Sequence, residues 1–215
     1  MNILSVNVGL PRVATWRGED VTTGIFKTPV AGPVMARTLN LDGDRQADLT
    51  VHGGAEKAVY GYPAEHYAFW REQLGEELSP GAFGENLTTT GLDEATLQIG
   101  DHLRVGGAEL VVTQPRLPCF KLSLRFNRPD MVRRFLASRR TGFYFAVVKE
   151  GLVAAGDAIT VLARDPGGLS VADITRVYAF DKDDHRTMRR IVAAPALAEG
   201  WRTYFAERLA AAEAA

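Results

Sequence analysis

Short runs of alternating apolar and polar residues fill most of the first 164 positions, and helical spacing takes over beyond them. Met1 to Leu10 alternates Ile3, Ser5, Val6, Asn7, Val8 and reads as a first strand. Thr96 to Ile99 and His102 to Val105 flank a Gly100-Asp101 turn, which predicts a hairpin, and Gly106-Gly107 then leads into Ala108 to Thr113. Phe143 to Lys149, a Glu150-Gly151 turn and Ala158 to Ala163 predict a second β section. So many short strands point to a closed or nearly closed barrel.

Two helices interrupt the strands. Pro63 is placed to open one, and Tyr67, Trp70 and Leu74 follow helical spacing until Gly75 stops it. Pro129 is placed to open another, with Met131, Val132, Phe135 and Leu136 on one side and Arg133, Arg134, Arg139 and Arg140 on a solvated face. Asp165-Pro166-Gly167-Gly168 reads as a linker. After it, Ser170 with Asp173 resembles a capping box, Met188, Ile191 and Val192 predict a second helix, and Leu197, Trp201, Tyr204, Phe205 and Leu209 a third. The expected architecture is therefore a mainly β barrel domain with interspersed helices over residues 1–164 and a small three-helix domain over 165–215, α+β overall. Ala210 to Ala215 is expected to fray.

Composition narrows the function classes. The chain has 215 residues, 46% hydrophobic and 24% charged, which is ordinary for a globular protein with a sizeable core. A formal net charge of −1 argues against a general binder of nucleic acid polymers or membrane surfaces. The start lacks a positive n-region and a long apolar run, no stretch reaches the ~18 apolar residues of a membrane helix, and a single cysteine forms no internal disulfide. A cytoplasmic location is expected.

That cysteine, Cys119, follows a strand-like run and the stretch Gln114-Pro115-Arg116-Leu117-Pro118, with Lys121 beyond it. Prolines stiffen the approach, and the flanking cations favour thiolate, the form that attacks electrophiles or binds soft metals. A small buried apolar role suits the local sequence as well. His52, Gly53 and Gly54 with Lys57 make a glycine-rich loop beside a cation, suited to an anion or simply to a turn; it is no P-loop, and the chain has no GxGxxG. Asn86, in Gly84-Glu85-Asn86-Leu87, suits either a ligand edge or a strained turn. Arg45 reads as a surface charge, and Asp181, Asp183 and Asp184 as a solvated helix entrance. The four dispersed histidines argue against a zinc hydrolase, and the absence of GxSxG against a serine hydrolase.

Three blocks occur in order: DLTVHGGAEKAVYGY from Asp48, FGENLTTTG from Phe83 and QPRLPCFKL from Gln114. From about Val21 to the end the chain resembles the MOSC family, named after the C-terminal domain of molybdenum cofactor sulfurases. The likeness is to its free-standing bacterial members with a three-helix extension. The resemblance implies a molybdenum–pterin cofactor with Cys119 as metal ligand and catalytic residue. Lys27, His52, Gly53, Gly54, Lys57, Asn86, Thr88 and Arg116 would then line the cofactor. It further implies reduction of N-hydroxylated compounds such as hydroxylamino purine bases. A separate electron-donor reductase would serve it, since the chain has neither a dinucleotide fingerprint nor iron–sulfur cysteine spacing. Nothing resembles the sulfurases' pyridoxal-phosphate domain, so no pyridoxal phosphate is expected. A homo-oligomer is compatible with this reading. Two alternatives stand beside it: a Cys119 persulfide that carries sulfur in cofactor maturation, and a non-catalytic carrier of the cofactor.

Overall fold

Ala108, Leu110 and Val112 alternate inward along one strand and are fully buried, and that strand lies inside the main sheet. The structure is a computed structural model that describes residues 1–47 and 53–214. Its strands are β1 (Asn2–Val8), β2 (Arg12–Trp16), β3 (Glu19–Thr23), β4 (Thr28–Pro29), β5 (Val34–Ala36), β6 (Val59–Pro63), β7 (Leu87–Thr90), β8 (His102–Val105), β9 (Ala108–Pro115), β10 (Phe143–Lys149), β11 (Gly151–Val153) and β12 (Ile159–Ala163). Its helices are α1 (His66–Leu74), α2 (Phe120–Phe126), α3 (Met131–Ser138), α4 (Val171–Ala179), α5 (His185–Val192) and α6 (Glu199–Glu213), with a 3₁₀ turn at Ala55–Lys57.

Eight strands form one mixed sheet in the order β12-β8-β9-β10-β6-β7-β1-β4, in which β6 and β7 run parallel. Its two ends meet. Asn2 bridges Ala158, Ile3 N–H donates to Asp157 O at 2.9 Å, and Ile159 N–H donates to Met1 O at 2.9 Å, so β1 adjoins the segment leading into β12. These bonds curl the large mixed sheet back on itself.

The C-terminal helices share one continuous apolar core with the sheet. Val171, Ile174, Met188, Ile191, Trp201 and Phe205 cluster with Leu97, Ile99, Val112 and Phe145. The capping box is present: Asp173 N–H donates to the Ser170 hydroxyl at 3.0 Å, and Ser170 N–H to the Asp173 carboxylate at 3.2 Å. A second, aromatic cluster holds α1, α2 and α3 together around Phe83, Trp70 and Phe135. Among the described residues no helix is long and apolar enough to cross a membrane.

Four local expectations are corrected, and one helix is added. Thr96 to Ile99 is not a strand, because the Asp93 carboxylate takes the N–H groups of Ala95 and Thr96 while Asp101 takes that of Gln98, coiling the segment into turns. The Glu150-Gly151 turn joins no hairpin partners, since β10 pairs with β6 and β9 whereas β12 pairs with β8. Pro63 ends β6, and the helix starts at His66, while Gly75 caps it in the left-handed region (φ 71°) as expected. Helix α2 directly follows Cys119, an element that the sequence pattern does not announce. Helix α6 continues to Glu213, past the predicted start of fraying.

Candidate functional site

Strand β9 ends at Pro115, and the chain beyond it turns Arg116, Leu117 and Cys119 toward a cavity of about 100 Å³. Cys119 occupies the extended position before α2 (φ −123°, ψ 174°) and is half-buried, with Leu122 N–H donating to its carbonyl at 2.9 Å. Lys121, the second residue of α2, lines the same cavity. Lys57 comes from the 3₁₀ turn, Tyr60 from β6, Tyr144 from β10, and Lys27 from the chain between β3 and β4.

Two loops form the wall by unusually close approach. A Cβ on Gly24 would sit 2.4 Å from the carbonyl oxygen of Arg45, so only glycine lets the loops at 23–25 and 45–47 touch. Gly84 has φ +83°, and a side chain there would meet Ile25 at 2.9 Å.

Polar bonds beneath the cavity fix its frame. The Asp44 carboxylate, wholly buried, pairs with Lys27 and accepts Gly9 N–H at 2.9 Å and Asn86 Nδ2–H at 2.8 Å. Asn86 also accepts Tyr60 N–H at 3.0 Å through Oδ1, and so clamps β6 to the Asp44 loop. Burial pulls Lys27 below the ordinary lysine pKa, and Asp44 opposes it. Glu85 lies deeper. Its carboxylate receives Tyr67 Oη–H, Gly81 N–H at 2.8 Å, Thr88 Oγ1–H at 2.9 Å and Phe83 N–H at 3.1 Å. Burial pushes its pKa up, and the bonds from Tyr67, Gly81 and Thr88 pull against it.

The charge on the cavity is one-sided. Lys27, Arg45, Lys57, Arg116 and Lys121 line it, and among the described lining residues there is no Asp or Glu. Arg116 is the most telling. It is 6% exposed, sits 5.4 Å from the Tyr60 ring and 5.1 Å from that of Phe135, and leaves Nη1 buried with no hydrogen-bond partner among the described residues. Burial works against its charge, yet the Tyr60 and Tyr144 oxygens and the Cys119 sulfur outweigh that and raise its pKa. Burial also raises the pKa of Tyr144, with Arg116 opposing. A buried guanidinium nitrogen left bare costs on the order of 1–3 kcal/mol or more, which an anionic ligand would recover. Among the described residues no three His, Cys, Asp or Glu side chains gather to hold a metal.

Of the residues singled out from sequence, the cavity unites Cys119, Arg116, Lys27, Lys57 and Asn86. Asn86 spends its amide on the frame. Thr88 lies off the cavity, buried between Asn7 Nδ2 and Glu85. Gly53 and Gly54 do not line it. Gly54, at φ +100°, precedes the turn that carries Lys57. His52 lies outside the described residues. Arg45 is exposed as expected, and it also lines the cavity rim. Sequence reading missed Tyr60, Tyr144 and Gly24, which carry no local signal of a site.

The MOSC domain matches residues 48–160 and the YiiM-like 3-alpha helix domain residues 169–212. YflK of Bacillus subtilis is 43% identical over 207 residues, spanning 96% of this chain and 94% of that protein. A reductase of Gibberella moniliformis is 36% identical over 179 residues, spanning 81% of this chain and 32% of that protein. The crystal structure of YiiM from Geobacillus stearothermophilus superposes with a TM-score of 0.82 at 37% identity, covering 97% of this chain and 98% of the other.

Proposed function

We propose, from the premise that this chain belongs to the MOSC family and carries its YiiM-like three-helix domain, that it binds a molybdenum–pterin cofactor and reduces N-hydroxylated compounds. The net change would be R–NHOH + 2 e⁻ + 2 H⁺ → R–NH₂ + H₂O: the N–O bond breaks, an N–H bond forms, and the oxygen leaves as water. The observation that carries the reading is the orphaned Arg116 Nη1 in a cavity of five cations that also holds the thiol of Cys119.

The residues present fit such a group. A soft sulfur suits a metal already bound by two sulfurs, and the basic lining suits a phosphorylated pterin. Cys119 would hold the metal, Arg116, Lys57 and Lys121 would balance its anionic charge, and the bound group would supply the two-electron chemistry. Tyr144, with its pKa raised by burial, keeps its Oη proton and so adds no negative charge of its own beside Arg116. Asp44 and Asn86 orient rather than react, as both are saturated by the frame. Electrons would come from a separate reductase. The fungal relative supports this, because two-thirds of a protein called a reductase lies outside the part matched here.

Elemental analysis of purified protein tests the reading, with Cys119→Ser as comparison. The parent should carry molybdenum and reduce a hydroxylamino purine with a chemical donor. The variant should fold alike and lose both metal and turnover, because serine offers a hard, poorly ionised oxygen. Full metal and turnover in the variant would remove Cys119 from the chemistry. Cyanide-labile sulfur without molybdenum would replace reduction by sulfur transfer.

A further inference from the structure

Beside the thiol cavity lies a larger hollow, about 340 Å³, between the sheet and the C-terminal helices; Lys57 and Leu117 line both. Its sheet side is Gln114, at the end of β9, and Glu56 and Lys57 of the 3₁₀ turn. Its helix side is Tyr178 from α4 and Trp201 and Tyr204 from α6. A hollow of that size is in the range of small-molecule sites, which are mostly apolar with a few polar groups to fix orientation.

The aromatic wall is held rigid. Trp201 Nε1–H donates to Gln114 Oε1 at 3.0 Å, and Gln114 Nε2–H donates to the Glu56 carbonyl at 3.2 Å. Thr113 Oγ1–H reaches the same carbonyl at 2.6 Å. The Trp201 ring stacks on Phe205 (6.0 Å, 15°) and meets Tyr178 edge-on (5.3 Å, 74°). Tyr204 packs against Tyr178 at 5.4 Å, yet remains 40% exposed. A pinned indole with an exposed phenol beside it gives a stacking surface that loses little freedom on binding. Glu56 and Lys57 put an acceptor and a donor at the rim, suited to the N–H and ring-nitrogen edge of a heterocycle.

We propose that this hollow binds a flat nitrogen-heteroaromatic ring and that supplying its aromatic wall is the role of the three-helix domain. Two sources share that chemistry, the base of an N-hydroxylated substrate and the pterin of the cofactor. Only the choice between them rests on the function proposed above; the ring site itself rests on the geometry of the hollow.

Adenine, a flat ring with nothing to reduce, is the probe. It is titrated by calorimetry into the full chain purified with its cofactor and into the same chain stripped of it, with cyclohexanol as a puckered control. Tyr204→Ala removes an exposed ring and Trp201→Phe keeps the core filled, so one or both variants should stay folded. Adenine should bind well ahead of cyclohexanol, and each folded variant should bind it roughly five- to a hundredfold more weakly, as loss of one base-stacking partner does. If adenine binds the loaded protein and the variants keep their molybdenum, the site takes the substrate base. If it binds only the stripped protein and the variants lose molybdenum, the site takes the pterin. No adenine binding to either form, or equal binding by parent and variants, overturns the proposal. Protein that binds adenine through Tyr204 and Trp201 but never contains molybdenum would overturn the proposed function and leave the ring site standing.

Discussion

Replacing Asp44 with asparagine should cost stability first and cofactor second. The Lys27 and Asp44 side chains are 8% and 0% exposed, so their charges are held by each other and by few other groups. In Asp44→Asn the lysine keeps a buried charge without its counterion, and the new amide turns an NH₂ toward the Gly9, Lys27 or Asn86 donors. Breaking one side of such a pair costs about 3–5 kcal/mol. At roughly 2–4 °C per kcal/mol for a chain of this size, the melting point should fall by roughly 6–20 °C. Lys27→Met should cost less, because Asp44 keeps its two N–H donors. The double variant should fall short of the sum by about 1–3 kcal/mol. The direction with pH follows from linkage. Burial lowers the folded-state pKa of Lys27, so the penalty on its charge is present at low pH. It is relieved as pH rises through that lowered value toward the ordinary 10.5, and Asp44→Asn should steepen this gain. Thermal and urea melts of the four proteins at several pH values provide the measurement. An Asp44→Asn variant within about 1 kcal/mol of the parent, or strictly additive costs, would refute the pairing as the frame of the site.

Arg116→Met should leave the ligand-free fold within about 2 kcal/mol of the parent, since it removes a buried charge along with its contacts to two rings. It should also abolish the melting-point rise that inorganic phosphate gives the parent, and an unchanged rise would exclude Arg116 from anion binding. Glu85→Gln should destabilise by roughly 2–4 kcal/mol in chemical denaturation, because all four groups bonded to the carboxylate are donors and an amide satisfies fewer of them; a neutral result would mean that Glu85 is already protonated. Cofactor-loaded protein should turn over an N-hydroxylated base with a chemical one-electron donor and not with NADH alone, and fast turnover on NADH would disprove the need for a separate reductase.

Sequence legibility followed the range of the forces involved. The capping box at Ser170, the stop at Gly75 and the alternation in β9 and β10 are local, and local patterns reported them. The β2–β3 hairpin escaped because its turn puts Arg17 at φ 54° before Gly18 at φ 86°, and arginine is not a residue that announces a left-handed turn. Thr96 to Ile99 misled because two aspartates, each three residues from the N–H it takes, outbid strand pairing. At the site, Cys119, Arg116 and Lys57 were visible as chemistry in stiff or glycine-rich loops. Tyr60, Tyr144 and Gly24 were not, since strand pairing and loop contact across 84 and 21 residues of sequence, respectively, bring Tyr60 to Tyr144 and Gly24 to Arg45. Thr88 was selected by the company it keeps in sequence, and its hydroxyl belongs to the Glu85 network instead.

Strand β9 also works as a ruler. Gln114 braces the indole of the large hollow, and Arg116, two residues on, presents its bare nitrogen to the basic cavity. At roughly 3.3 Å per extended residue their backbones stand about 6–7 Å apart. That spacing is set by the peptide chain and pinned at its far end by the Arg116 N–H bond to the Gly142 carbonyl at 3.2 Å. A molecule that filled both compartments would need its ring and its negative charge separated to match. Analogues with progressively longer tethers between a flat ring and a phosphate would then show a single best length, and the protein could retune it only by inserting or deleting residues in a strand that the whole sheet holds in register.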